Sequence, residues 1–293
     1  METIDCSIIL VNYNTCQLTL ACINSIREFS TNFSYEIIVV DNASSDNSKE
    51  VLSKLPYVKF IEFGKNAGFG AANNLGARNA VGKYLFLLNT DTILIENSIK
   101  ILLDFYRNNE EKLRIGTLGA VLLDEKQNII NSGGYFPTVD KYLKAYFKKP
   151  VKEYKIVENR EYQQIDYVTG ADLMISKNIY DKIEVFDENF FLYYEETDLQ
   201  KRIQYLGYTN YLLTTTRIIH FEGGSDLGEN VSNFKRTVIH QSRNRFLRKH
   251  DRKNFLKYVF LDVAMTIGRM GLRNYTWKEK VAFCKSNFKS YFQ

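Results

Sequence analysis

The sequence contains few of the residues that mark specialised classes of protein. Its 293 residues include three prolines, three histidines, one tryptophan and four cysteines. With so little proline and only 16 glycines, collagen-like and low-complexity architectures are excluded. The cysteines are Cys6, Cys16, Cys22 and Cys284, and no two of them have Cys-x-x-Cys spacing. We therefore expect buried free thiols in a reducing cytoplasm, without a disulfide framework.

Long apolar runs are also missing. No stretch approaches the roughly 20 uncharged residues that a membrane-spanning helix needs. The first five residues lack the basic-then-apolar order of a signal peptide, so we expect a cytoplasmic protein. The composition is 45% hydrophobic and 25% charged, which is average for a globular chain. The length allows one large α/β domain or two smaller ones.

Positive charge is concentrated near the C-terminus. Residues 231–293 contain 15 Lys and Arg against 3 Asp and Glu, a balance of +12. The whole chain has 39 against 34, so residues 1–230 have 24 against 31, a balance of −7. This imbalance predicts a main domain over 1–230 and a basic helical extension over 231–293. The positive charge of the extension favours an anionic partner such as a membrane surface. An equally good interpretation is that these basic residues form solvated faces of surface helices.

Apolar runs alternate with amphipathic segments through the first 90 residues. The runs cover residues 7–11, 36–40, 58–61 and 84–88. This alternation predicts an α/β fold with a Rossmann-like, mostly parallel central sheet flanked by helices. Beyond it we predict strands over 117–123, 128–132, 167–176 and 208–220, a loop over 138–164, a helix over 195–206, and two or three helices after about residue 233.

Polar residues follow three of the predicted strands. They are Asn12–Asn14, Asp41–Asn42 and Asn89–Asp91. Ligands of such sheets bind at the carboxyl ends of the strands, so these clusters predict a binding site. There is no Gly-x-Gly-x-x-Gly after the first strand and no Walker motif, which disfavours dinucleotide-binding and P-loop proteins. The glycine-rich segment Gly64–Gly70 opens a helix whose N–H groups can receive a phosphate or a sugar.

Several acidic residues and one histidine are candidates for chemistry. Asp91 can hold a divalent cation through its carboxylate oxygens, or it can cap a turn. Glu195, Glu196 and Asp198 begin a helix, where the macrodipole favours acids and where adjacent carboxylates can produce a general base. His220 at a strand end is a candidate second metal ligand, or a histidine with a structural partner.

The order and spacing of these motifs resemble glycosyltransferase family 2. The resemblance covers about residues 5–225, and its later part is similar to the rhamnosyltransferase-like branch of the family. The matching segments are 8–14, 39–46, 66–76, 87–91, 169–175 and 191–199, with His220 and Ser225. It implies a GT-A fold with a donor half over about 1–115 and an acceptor half over about 116–230. It also implies inverting transfer from a nucleotide-activated sugar.

The resemblance implies roles for individual residues on the donor side. Asn89 stands at the first position of the family's Asp-x-Asp motif, which leaves Asp91 as the principal ligand of a Mg or Mn ion. His220 matches a second metal ligand used by some members. The implied donor-binding residues are Asn12, Tyr13, Asp41, Asn66, Gly68, Asn73, Asn89 and Thr90.

The resemblance also implies how the acceptor is activated. Glu196 stands where the family often has Asp and is implied as the catalytic base, with Glu195 as the alternative. Gly170, Ala171 and Tyr194 are expected to form the acceptor site. The branch favours dTDP-rhamnose as donor, closely followed by UDP-sugars. The expected acceptor is a glycan or a lipid-diphosphate-linked saccharide in surface polysaccharide assembly.

Two other functions stay open at the level of sequence. The first is a non-catalytic domain of the same fold that binds a nucleotide sugar or glycan, although Asp41, Asp91 and Glu196 have all kept their carboxylates. The second is nucleic-acid binding by the basic extension, which lacks a recognisable nucleic-acid motif. The extension can equally hold the protein at the inner face of a membrane or build a homodimer.

Overall fold

The computed structural model describes residues 4–157, 159–221, 233–269 and 276–291. The strands are β1 (Cys6–Asn12), β2 (Tyr35–Asp41), β3 (Val58–Glu62), β4 (Tyr84–Leu88), β5 (Thr92–Leu94), β6 (Ile115–Leu123), β7 (Gly133–Gly134), β8 (Tyr162–Ile165), β9 (Tyr167–Val168), β10 (Asp172–Ser176) and β11 (Thr209–His220). The helices are α1 (Cys16–Phe29), α2 (Ser48–Leu52), α3 (Phe69–Arg78), α4 (Ser98–Leu113), α5 (Val139–Tyr146), α6 (Lys177–Lys182), α7 (Glu195–Tyr205), α8 (Asn233–His250), α9 (Arg252–Arg269) and α10 (Trp277–Ser290).

A large sheet forms the centre of the molecule. Within the described residues it has nine strands in the order β3-β2-β1-β4-β10-β6-β11-β5, with β8 paired to β11. Pairing is parallel from β3 to β4 and again between β6 and β11, and antiparallel at β10, β5 and β8. Six of these nine strands, β1 to β4, β6 and β11, therefore run in the same direction. The predicted α/β class with a mostly parallel sheet is confirmed.

The central strands are apolar on both faces because helices cover both sides of the sheet. Along β1, Ile8 and Leu10 point into one core with Ile23 of α1 and Leu102 of α4. Ile9 points to the opposite side, into a second core to which α3, α6 and α7 contribute. This alternation follows from the two-residue period of a strand. The four cysteines are free thiols; Cys6, Cys16 and Cys22 are buried, as expected, whereas Cys284 is half-buried.

The middle of the chain departs from the sequence prediction in three places. A strand over 128–132 is wrong: the Asp124 carboxylate accepts hydrogen bonds from the N–H groups of Lys126 and Asn128, and the resulting turn leaves Ile129 in a single bridge to Leu123. A loop over 138–164 is also wrong, because it contains α5 and the beginning of β8. The predicted strand 167–176 is interrupted between β9 and β10.

The helices near the C-terminus pack on the sheet domain through a third hydrophobic cluster. Its buried members are Phe136, Val139, Phe190, Phe246, Leu247, Phe255, Tyr258 and Tyr291. The cluster joins α8, α9 and α10 to α5 and to the segment that precedes α7. None of the described helices combines the length and apolar character needed to cross a membrane.

One buried carboxylate holds α7 to α8. Asp198 is fully buried and accepts hydrogen bonds from Arg202 on its own helix and from Lys249 and His250 on α8, each at 2.8 Å. Burial alone would raise the pKa of Asp198, but the hydrogen bond from His250 and the charge of Arg202 bring it down to about 2. The ionised carboxylate therefore stabilises the folded state.

Asp198→Asn is expected to lower the free energy of unfolding at pH 7 by about 2 kcal/mol, the linkage value of a pKa lowered from 3.8 to about 2. Because the folded-state pKa is the lower one, this stabilisation is complete above about pH 5 and is lost as the pH falls towards 2. The variant should therefore also lose part of the pH dependence of stability. Urea unfolding between pH 7 and pH 3 measures both effects. The control is Asp181→Asn, which removes an exposed ion pair with Lys177; equal losses in the two variants would contradict the prediction.

Candidate functional site

The carboxyl ends of β1, β2 and β4 open into a cavity of about 340 Å³, here called the strand-end pocket. Its volume lies in the range of small-molecule sites. Six of the predicted donor-side and metal-binding residues line it: Tyr13, Asn66, Gly68, Asn89, Thr90 and Asp91. The other lining residues are Val11, Thr15, Asn42, Phe69, Phe191, Leu192, Tyr193, Phe234, Lys235 and Val238.

Two predicted donor residues lie behind the wall of this pocket. Asn12 and Asp41 are directly paired across β1 and β2, and the Asn12 amide donates to the Asp41 carboxylate at 2.7 Å. Ser44 donates its N–H and its hydroxyl to the same carboxylate, at 3.0 and 2.6 Å. Both side chains are buried, so in this arrangement the Asp41 carboxylate orders the turn after β2.

The neighbouring Asn42 is the side chain that reaches the pocket. It accepts a hydrogen bond from the N–H of Ala67 and donates to the Asn66 side chain, both at 3.0 Å. These bonds fix the glycine-rich loop at the start of α3. Asn73, further along α3, is buried, donates to the Phe69 carbonyl at 3.1 Å and does not line the pocket.

Asp91 and His220 face each other at the edge of the strand-end pocket. The antiparallel pairing of β5 and β11 brings them together, with His220 Nε2 3.3 Å from Asp91 Oδ1. His220 Nδ1 is buried and has no hydrogen-bond partner among the described residues. A carboxylate oxygen and an imidazole nitrogen are suitable ligands for Mn²⁺, and the carboxylate also suits Mg²⁺.

These two residues by themselves make an incomplete metal site. In the part of the chain that the structure describes, no cluster of three or more His, Cys, Asp or Glu side chains could hold an ion. A divalent ion held by Asp91 and His220 would need most of its oxygen ligands from a bound molecule and water. Ser225, which the resemblance grouped with His220, lies outside the described residues.

A second cavity of about 590 Å³ adjoins the first. It is named the tyrosine pocket because it is lined by Tyr135, Tyr142, Tyr167, Tyr193 and Tyr194. Its remaining lining residues are Pro137, Lys141, Ala145, Val151, Glu153, Glu196 and Thr197. Tyr193 lines both cavities, so the two pockets meet at this residue.

The short segment between β9 and β10 connects the two pockets. A methyl group added at Gly170 would lie 3.4 Å from the Phe69 ring and 3.7 Å from the Glu196 side chain. Phe69 belongs to the strand-end pocket and Glu196 to the tyrosine pocket. The buried Ala171 accepts a hydrogen bond from the N–H of Asn89 at 2.9 Å. Gly170 and Ala171 thus lie where the candidate metal motif approaches Glu196.

The two adjacent glutamates at the start of α7 occupy different environments. Glu195 is buried beside Gly70, and its Oε2 has no hydrogen-bond partner among the described residues. Burial, followed by the charge of Glu196, raises the pKa of Glu195 well above its usual range, which favours the protonated acid. Burial also raises the pKa of Glu196, although its side chain lines the tyrosine pocket and accepts from Thr197 at 3.1 Å. Glu196 is therefore the member of the pair that can exchange a proton with a bound molecule.

A strained turn places the N-terminus of α7 at the tyrosine pocket. Tyr193 and Tyr194 have φ values of 66° and 67°, a left-handed conformation that costs about 1–3 kcal/mol for each non-glycine residue. The hydroxyl groups of Tyr194 and Tyr142 are 2.7 Å apart, and the Tyr194 ring packs on Phe246 of α8. These contacts hold the turn and place Glu196 immediately after it.

The sequence prediction missed lining residues on two remote helices. The strand-end pocket includes Phe234, Lys235 and Val238 of α8, and the tyrosine pocket includes Lys141 and Tyr142 of α5. A local signal for α5 does exist, since Thr138 follows a proline and its hydroxyl caps the helix by accepting the N–H of Lys141. No local pattern places α8 over the pocket, because only the packing of distant segments brings it there.

Comparisons with known proteins find similarity in both sequence and fold. A sequence model described as glycosyl transferase family 2 matches residues 7–184. A low-salt glycan biosynthesis hexosyltransferase (Agl10) of Haloferax volcanii is 25% identical over 208 residues, which cover 66% of this chain and 60% of that protein. The N-acetylglucosaminyl-diphospho-decaprenol L-rhamnosyltransferase of Mycobacterium tuberculosis (strain CDC 1551 / Oshkosh) is 23% identical over 216 residues, 64% of this chain and 67% of the relative.

Other similarities cover only part of the matched protein. An uncharacterized glycosyltransferase of Rickettsia felis is 34% identical over 105 residues, but the matched region spans 17% of its length and 35% of this chain. A crystal structure of GalNAc-T7 with UDP, GalNAc and Mn²⁺ superposes with a TM-score of 0.61 at 14% identity, over 87% of this chain and 52% of that one. The structural likeness confirms the GT-A fold.

Gly68→Ala is expected to destabilise the protein more than Gly64→Ala. Both glycines have positive φ, +91° and +76°, so each substitution costs about 1 kcal/mol in backbone strain. The added methyl group at position 68 would also lie 2.1 Å from the Phe191 carbonyl oxygen, whereas position 64 has no atom within 4 Å. Gly68→Ala must therefore displace the backbone of a pocket residue. Urea unfolding at pH 7 compares the two variants, and an equal loss of stability would show that the Phe191 contact does not constrain residue 68.

Proposed function

Because the chain belongs to glycosyl transferase family 2, we propose that it transfers a sugar from a nucleotide donor to a saccharide acceptor with inversion at the anomeric carbon. One observation carries the proposal. Asp91 lines the strand-end pocket and faces His220 at its edge, Glu196 lines the tyrosine pocket, and the two pockets meet at Tyr193. This arrangement provides separate places for a leaving group and for a nucleophile.

The donor is proposed to occupy the strand-end pocket. The exposed ring of Tyr13 offers an aromatic face for the nucleotide base, beside the loop that Asn42 fixes through the Ala67 N–H. Asp91 and His220 would hold a divalent Mg or Mn ion, and Asn89 and Thr90 complete this wall. When bound, the ion supplies positive charge that stabilises a diphosphate leaving group.

The acceptor is proposed to occupy the tyrosine pocket. Its aromatic rings provide apolar faces for sugar rings, while the hydroxyl groups of the tyrosines and the Glu196 carboxylate provide hydrogen-bonding groups for sugar hydroxyls. Gly170 lies between Phe69 and Glu196, where an added methyl group would be in van der Waals contact with both side chains. Tyr194 lines the same site, and the buried Ala171, which does not line it, accepts the N–H of Asn89.

Glu196 is proposed as the catalytic base. Its carboxylate takes the proton of an acceptor hydroxyl, a contribution that typically accelerates a reaction 10²–10⁴-fold. The hydroxyl oxygen forms the new bond to the anomeric carbon, and the bond to the nucleoside diphosphate breaks. The oxygen and the leaving group occupy different pockets on opposite sides of the sugar, so the configuration inverts. Alignment of the two substrates lowers the barrier further.

The substrate class follows from the relatives and from the motifs. The Mycobacterium relative is named for rhamnosyl transfer to a diphospholipid-linked sugar, and the Haloferax relative for hexosyl transfer in glycan biosynthesis. We propose dTDP-rhamnose or a UDP-sugar as donor and a glycan or lipid-diphosphate-linked saccharide as acceptor, in surface polysaccharide assembly. The basic extension over 231–293 is proposed to keep the enzyme at the inner face of the membrane. The alternative proposal is that the extension forms a homodimer.

Glu196→Gln is expected to abolish transfer while nucleotide binding stays within about twofold, because the amide cannot accept the acceptor's proton. Glu195→Gln is the matched control: the amide mimics the protonated acid that burial maintains at that position. In wild type, the rate should rise with pH as Glu196 ionises, through a pKa above the usual glutamate value. Any residual activity of Glu196→Gln should not show this rise of the rate with pH. Turnover of dTDP-rhamnose and UDP-sugars between pH 5 and pH 8 gives the measurement, and wild-type turnover in Glu196→Gln would rule out the assigned base.

Asp91→Asn and His220→Gln are expected to remove the metal dependence of nucleotide binding. Calorimetric titration of dTDP, UDP and GDP, each with and without Mn²⁺ or Mg²⁺, should reveal one nucleotide that the wild type binds at least about tenfold more tightly with metal. The control is Asp104→Asn, since Asp104 pairs with Lys100 on α4 outside both pockets. Metal-independent binding in the wild type would contradict the metal site, and binding without turnover would favour the non-catalytic alternative.

A further inference from the structure

A third, smaller cavity lies beside the strand-end pocket. Its volume is about 160 Å³, below the range of drug-sized ligand sites but large enough for a single phosphate group. It shares the side chains of Phe191 and Val238 with the strand-end pocket. The polar residues that line it are Asn189, Gln241, Ser242, Arg245 and Ser290.

The Arg245 side chain is the charged group of this small pocket. It is partly buried on α8 and lies over the Phe190 ring, 5.9 Å from the ring centroid. Among the described residues it makes no hydrogen bond and no ion pair, although a guanidinium group carries five N–H donors. Burial lowers the pKa of Arg245, but a guanidinium stays charged in proteins.

The two nearest carboxylates are already neutralised by other groups. Asp187 pairs with Lys249 at 2.8 Å and accepts from Asn189 at 2.7 Å. Asp198 is paired with the cationic side chains of Lys249 and Arg202. Positive charge therefore remains uncompensated at Arg245, and partial burial without a partner is unfavourable for an ion.

The hydroxyl groups of the small pocket cannot replace Arg245 as donors. Ser242 donates to the Leu192 carbonyl at 2.8 Å, and Ser290 donates to the Asn287 carbonyl at 2.6 Å. A ligand in this pocket would therefore depend on the Arg245 fork, together with the side-chain amides of Asn189 and Gln241, which also line it. Planar, bidentate donation suits a phosphate, which offers several acceptor oxygens in a small volume.

We propose that Arg245 and the small pocket bind a phosphate group, next to but separate from the nucleotide pocket. Two sources share this chemistry: inorganic phosphate, or the headgroup of a lipid-linked diphosphate. Only the second source rests on the proposed transfer to a lipid-linked acceptor. The site itself does not depend on sugar transfer, so it can be tested without a donor or turnover.

The test is calorimetric titration of the full chain with inorganic phosphate at constant ionic strength, first alone and then in the presence of saturating UDP. We expect binding that weakens at least about tenfold in Arg245→Gln and is partly retained in Arg245→Lys, which keeps the charge but loses the fork. Arg248→Gln is the control, because it removes the same charge from the same helix outside the pocket and should bind phosphate like the wild type. Thermal unfolding of all variants shows that each is folded.

The result that would overturn the site is phosphate binding that is absent, unaffected by Arg245→Gln, or displaced by UDP. The last case would place the phosphate in the strand-end pocket. A second titration with farnesyl diphosphate separates the two sources. Tighter, Arg245-dependent binding of farnesyl diphosphate than of phosphate supports a lipid headgroup, and equal or weaker binding supports free phosphate. Failure of the phosphate site would leave the transferase proposal unaffected, since that proposal is tested at Glu196 and Asp91.

Discussion

The buried carboxylate of Asp198 is the point at which the separate parts of the site are joined. It lies on α7, two residues after Glu196, and binds two basic side chains of α8. The same α8 contributes Phe234, Lys235 and Val238 to the strand-end pocket. A single ion cluster therefore fixes the helix that carries the candidate base relative to the helix that covers the candidate donor site. Such a cluster is costly to break, because the loss of one partner leaves the others buried and unpaired.

This cluster changes the interpretation of the charge asymmetry. The sequence places an excess of positive charge after residue 231 and an excess of negative charge before it. In the folded chain, some of these opposite charges meet each other: Lys249 contacts Asp187 and Asp198, and His250 contacts Asp198. The positive charge offered to an outside partner is therefore smaller than the sequence suggests. The positive charge that remains available to an outside partner lies on residues such as Arg245, whose charge no described carboxylate neutralises.

The sheet and its polar edge could be predicted from the sequence because both depend on local patterns. Short apolar runs alternate with helical segments, and polar residues follow the strands wherever the chain turns at the ligand-binding edge. Which residues line the strand-end pocket could not be predicted from such local patterns. Asp41 and Asn42 are adjacent, but Ser44 and Asn12 hold Asp41 behind the wall while Asn42 reaches the pocket. The contribution of α8 depends on packing between segments far apart in sequence, for which a single sequence carries no periodic signal.

The carboxylates in the first turn of α7 differ in their pKa because their environments differ. Glu195, Glu196 and Asp198 lie within four residues at a helix N-terminus, where the macrodipole favours negative charge. Burial without a partner raises the pKa of Glu195 and favours its protonated form, whereas the hydrogen bond from His250 and the charges of Arg202 and Lys249 favour the ionised form of Asp198. Glu196 lies between these limits, with a raised pKa and access to the tyrosine pocket. Because one neighbour is neutral and the other is already paired, Glu196 is the carboxylate of this turn whose ionisation a bound acceptor can use.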